Sequence, residues 1–170
     1  MSRTFARRED AIRWTLHPRE VVLLRQLVED LRRALRPDPA EPAPAASDPV
    51  RTRLFPPAVL GDHEADAEVR DLIAEALLED RLVALEEVVG LLDRGQLKRG
   101  RQVTDLREDE PLRVLTVLND VRLAIGARID VEALDRDRVT EDDEVAVPLA
   151  VMDHLGWWQE QLLAILDGEG

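Results

Sequence analysis

Residues 110 to 128, EPLRVLTVLNDVRLAIGAR, constrain the fold more than any other stretch, because they read as one helix that is apolar almost all the way round. Val114, Val117, Leu118, Val121 and Ile125 stack on a single helical face, and Leu112, Leu115 and Leu123 cover most of what remains. Such a helix must be buried on several sides, so the rest of the chain is expected to pack around it. Glu108, Asp109 and Glu110 suit its positive N-terminal end, and Pro111 sits in the first turn, where a missing N–H costs nothing. Asn119, Asp120 and Arg122 interrupt the apolar cylinder and need partners. Gly126, one turn beyond Arg122, lets another backbone come close.

The other periodicities make the chain mainly α: a compact helical domain of about five helices with a small N-terminal β-hairpin and one or two short extra strands. Residues 1–36 hold the hairpin and the first helix. Phe5 precedes a polar turn, Ile12, Trp14 and Leu16 alternate as a strand, and Pro18 opens a helix carrying Val21, Leu24, Val28, Leu31 and Leu35. Residues 37–50, rich in Pro and Ala, have too little apolar surface to bury and read as a mobile linker. Residues 51–170 form the helical core, in one domain with the first 36.

Within that core, Arg53-Leu54-Phe55-Pro56-Pro57 reads as an extended segment lying across a helix, since two prolines stop it. Asp62 is placed to cap a helix whose apolar side runs through Val69, Leu72, Ile73, Ala76 and Leu77. The pattern continues to Gly95, with a bend expected near Leu78 to Asp80 and one long helix as the alternative. Gln96 to Asp109 is polar and basic and reads as a loop with one short strand anchored by Val103 and Leu106. Ile129 and Val131 alternate as a brief strand, Asp135 to Glu144 is acidic and exposed, and Pro148 opens the last helix. There Trp157 and Trp158 point about 100° apart, so one belongs to the core while the other is free for a homodimer or partner contact.

Composition enters through what it excludes. The chain has no cysteine, which removes disulfides, thiolate nucleophiles, cysteine zinc sites and thiol redox sensing. The expected location is cytoplasmic, with no membrane role, since no apolar run nears membrane length and the Arg-rich start lacks a following apolar block. Net charge is −13 but uneven. Residues 1–36 carry nine basic against five acidic groups, and residues 94–101 carry four basic and no acidic ones. These two basic islands offer either a docking surface or simply a solvated face; DNA is then reached only weakly or through a partner.

The residue types of catalysis are sparse. His17, His63 and His154 lack the helical spacing of a zinc hydrolase, and Ser2 and Ser47 stand at the chain start and in the linker. No glycine-rich phosphate loop and no Gly-x-Ser-x-Gly elbow occur. The expectation is a protein that is not an enzyme and needs no cofactor or metal. What remains is a set of charges within apolar helices: Glu68 and Arg70 on one, Asn119, Asp120 and Arg122 on the central one, with Arg128 following. Paired across the helices they form a charge-assisted network, structural or partner-binding, in which loss of Arg122 leaves a buried opposite charge, at roughly 3–5 kcal/mol.

The same residues carry a resemblance. Arg53-Leu54-Phe55-Pro56 with Ala58, Asp62, Glu68 and Arg70, then Leu118-Asn119-Asp120 with Arg122, Leu123, Gly126 and Arg128, and finally Trp157 with Gln159 and Leu162, resemble an actinobacterial family. It is the domain of unknown function that includes the actinomycete oxidative-stress transcription regulator. Val59, Val69 and Val114 stand where that family would place an aromatic, which implies a slightly repacked core. The resemblance implies a cytoplasmic, non-catalytic regulator of transcription that works with a sigma-factor type partner in oxidative-stress or cysteine-synthesis control. The alternative is a protein-binding adaptor or scaffold linked to protein turnover, with no promoter role. On either reading Arg53, Phe55, Pro56, Trp157 and Trp158 are the motif residues available to an interface.

Overall fold

The computed structural model describes residues 3–37, 40, 48–56 and 67–168. The expected cap at Asp62 and most of the linker lie outside them. Among the described residues the chain is mainly α, with five α-helices and a four-stranded antiparallel sheet.

Strands β1 (Phe5–Arg7) and β2 (Ile12–Leu16) form the expected hairpin. Phe5 faces Trp14 across it with stacked rings 5.9 Å apart, and Ile12, Trp14 and Leu16 all point into the core. Helix α1 (Pro18–Leu35) starts at a reciprocal cap: His17 Nδ1 accepts from the Arg19 N–H at 3.2 Å while the Glu20 carboxylate accepts the His17 N–H at 2.6 Å.

The linker ends earlier than the composition implies. Asp48 accepts the Val50 N–H at 2.8 Å and Pro49 occupies the first turn, so α2 (Pro49–Leu54) is a short helix where an extended segment was expected. It stops at Phe55, before Pro56. Helix α3 (Ala67–Arg94) runs 28 residues without the expected bend at Leu78 to Asp80, having no proline and no glycine before Gly90.

The polar stretch after α3 is a second hairpin, not a loop with one strand. Strands β3 (Gln96–Lys98) and β4 (Arg101–Leu106) turn through Arg99 and Gly100, both at positive φ (51° and 74°), the backbone that a two-residue hairpin turn requires. β4 then pairs with β2, giving the order β1-β2-β4-β3 and joining the two hairpins into one sheet.

Helix α4 (Glu110–Arg128) spans the expected residues and packs against α1, α2, α3 and α5 (Ala146–Leu166). It is the hub of the fold. Arg94, at the end of α3, grips Glu110 in its first turn with both terminal nitrogens at 2.8 Å. Ile129 and Val131 form no strand: Asp130 adopts a left-handed φ of 48°, and the Val131 N–H returns to the Gly126 carbonyl at 2.9 Å, closing the helix end. Asp135 to Glu144 is exposed apart from half-buried Val139, as the acidic composition implies. Trp158 is buried, and Trp157 is half-buried beside it.

Candidate functional site

Two helical faces of α4 do different work. Val114, Val117, Leu118, Val121 and Ile125 enter the core, whereas Asn119, Arg122, Leu123 and Gly126, spaced by three or four, turn toward an open cleft of about 960 Å³. Pro49, Thr52 and Arg53 of α2, with Pro56 just after it, form a second wall. The turn from Asp130 to Glu132 and Met152 of α5 close the remaining sides.

Asp120, expected in a network across these helices, is 2% exposed and pairs with the guanidinium of Arg81. Arg81 also donates to the Leu54 carbonyl at 3.2 Å and lies over the Phe55 ring at 5.4 Å, so it ties α3, α4 and the end of α2 together. Burial pushes the Asp120 carboxyl above its ordinary value, opposed by the hydrogen bond and charge of Arg81. Glu68 is exposed, and the Arg70 side chain falls outside the description.

Arg122 has no carboxylate partner among the described residues. Its Nε donates to the Met152 carbonyl at 3.1 Å and one terminal nitrogen donates to Gln159 Oε1 at 2.5 Å, both neutral acceptors on α5. Gly156 makes room for it: a methyl group there would stand 3.0 Å from the other terminal nitrogen. Gln159, buried itself, thus fixes a charge that nothing within the described chain neutralises. Among the described residues, the opposite buried charge expected beside Arg122 is not found. Asn119 is exposed with no hydrogen bond from its carboxamide among the described residues, and Arg128 is exposed as well. Arg53 pairs with Glu132 at 2.6 Å across the cleft mouth.

Over residues 2–166 the chain matches the family described as Domain of unknown function (DUF2017). It belongs to that family. No curated protein matches the chain, and no solved structure does.

In this DUF2017 chain, Arg53, Pro56, Asn119, Arg122, Leu123 and Gly126, which are scattered through the sequence, line one recess. Trp157 and Trp158 lie elsewhere. Trp157 borders a second hollow of about 620 Å³ between the sheet and α5, with Thr4, Thr15 and His154. There His154 Nε2 lies 3.1 Å from Glu20 and its ring packs on both tryptophans. Sequence reasoning overlooked Arg81 and Glu132. Arg81 stands eleven residues, or three helical turns, after Arg70 on the same face of α3, so spacing alone does not choose between them. Among the described residues no three His, Asp or Glu gather to hold a metal ion, and no helix is long and apolar enough to cross a membrane.

Proposed function

We propose that the protein is a non-catalytic regulator that acts through protein–protein contact, controlling transcription with a sigma-factor type partner in oxidative-stress or cysteine-synthesis responses. The pathway enters through the resemblance to the actinobacterial family with its oxidative-stress regulator. The contact function rests on one observation: among the described residues, the Asn119 carboxamide in the cleft has no partner and the Arg122 charge is held only by neutral acceptors. Groups with a purely structural duty are normally satisfied within the chain. Here they are left open beside the apolar walls of Pro56, Leu123 and Ala127, the mixture by which one protein surface receives another.

The test is affinity purification of the full chain from native cells, beside an Asn119→Ala variant whose exposed side chain contributes little to folding. RNA polymerase or sigma-factor components that co-purify with the wild type and fall away with the variant are the expected result. Protease components in their place would support the adaptor reading. Co-purification that is indifferent to Asn119 and to Arg122→Lys would remove the cleft from the contact.

A further inference from the structure

From Glu68 to Ala76 no described side chain of α3 joins the hydrophobic core, against which half-buried Leu78 and Leu82 are the first of this helix to pack. A helical end of this length is marginal unless its apolar face is covered. Its apolar residues are in the wrong place for an ordinary surface helix: Val69 is 48% exposed, Leu72 70% and Ile73 40%. With exposed Ala76 they fall at i, i+3, i+4 and i+7, and exposed Val83 continues the line two turns on. This is a seam for another helix, presented to solvent.

The flanks decide what kind of helix fits. Between Glu68 and Asp80 there are five acidic residues, Glu68, Asp71, Glu75, Glu79 and Asp80, against one basic residue, Arg70. Arg36 of α1 reaches Glu75 and Glu79, leaving Glu68, Asp71 and Asp80 without an ion-pair partner among the described residues. A second copy of the same segment would bring acid against acid, in a chain already at −13. Among the described residues none of α3 lines the cleft described above, and Val69, Leu72, Ile73 and Ala76 form a surface separate from it.

We infer that the seam Val69–Leu72–Ile73–Ala76 is a docking surface for a basic amphipathic helix of a partner protein. The partner's aliphatic stripe covers the apolar residues while its Lys and Arg side chains meet the acidic flanks, a pairing set by e- and g-type positions in coiled coils. The apolar contact supplies adhesion. The charges supply the choice of partner and a rapid, salt-sensitive encounter.

The test uses the full chain and a fluorescent synthetic peptide of about 18 residues, one helical face Leu and Ile and the rest Lys and Arg. A matched peptide carries Glu in place of the basic residues. Binding of the basic peptide, at least about tenfold weaker binding by the double variant Leu72→Ser, Ile73→Ser, and a similar loss for Glu68→Lys, Asp80→Lys are expected. All four positions are exposed, and circular dichroism melts verify that each variant is folded. The proposal fails if the basic peptide does not bind, if it binds the serine variant as well as wild type, or if the Glu peptide binds equally. Self-association of the wild type that the serine substitutions abolish would assign the seam to a second copy and overturn it too.

Discussion

Arg81 and Arg122 show how much depends on what an arginine faces. Arg81 meets a buried carboxylate, and Arg122 meets, among the described residues, only a carbonyl and a carboxamide. The large penalty for removing one member of a buried pair therefore belongs to Arg81. In the folded protein burial holds Asp120 above its unfolded value, so its contribution is most favourable at low pH and declines as pH rises through the folded pKa. Arg81→Ala removes the group that pulls this pKa down and raises it further. The variant should lose about 3 kcal/mol at neutral pH and less at about pH 5, where Asp120 more readily takes a proton and then needs no counter-charge. Urea denaturation at the two pH values measures both. An equal loss at each would mean that Arg81 stabilises through Leu54 and Phe55 alone.

At the scale of elements, the contact between α4 and α5 turns on Gly156, whose missing side chain leaves the space that the Arg122 guanidinium fills. Gly156→Ala should destabilise by about 1–2 kcal/mol through crowding, and by clearly less in an Arg122→Ala background, because the two changes act on one contact. Thermal melts of the two single variants and the double variant provide the cycle; additive losses would place the strain elsewhere. The helices were legible because their apolar spacing is strong: α1 and α4 stand where the periodicity puts them. The second hairpin was not. Gln96, Leu97 and Lys98 are all exposed, so β3 carries no inward alternation, and its turn uses Arg99 at a positive φ that usually belongs to Asn, Asp or Gly. Likewise Ile129 and Val131 imitate a strand, while the left-handed Asp130 between them makes a helix end.

For the whole molecule, the sheet holds Arg7 and Arg8 of the first basic island apart from Lys98, Arg99 and Arg101 of the second. β2 pairs antiparallel with β4, setting Ile12 opposite Leu106 and Leu16 opposite Gln102. Arg7 and Arg8 therefore lie at one end of the sheet, and Lys98, Arg99 and Arg101 beyond the other, roughly 13 Å or more away along the strands. Arg7 is further engaged, donating to the Ile165 carbonyl near the end of α5. These five residues therefore share no single basic face, on a body of net −13. The isolated protein should show no tight sequence-specific DNA binding at physiological salt, and any association should fade steeply as salt rises. Electrophoretic mobility shifts against its own promoter region over a salt series decide this. Nanomolar specific binding without a second protein would show that one island alone suffices.

The amino-acid sequence by itself determined the helical class, the span of the central helix and the first hairpin, because each is written in local spacing that burial must respect. It also determined that no thiol in these 170 residues can register an oxidant, and Met152, buried at the cleft wall, is the one described sulfur. Only the tertiary structure decided which arginine meets Asp120, that Arg122 meets only neutral acceptors among the described residues, and that the apolar stripe from Val69 to Ala76 is exposed. A periodic pattern states that a side chain lies on a given helical face. What stands opposite that face is fixed by elements distant in the chain, and for the start of α3 no described element stands there.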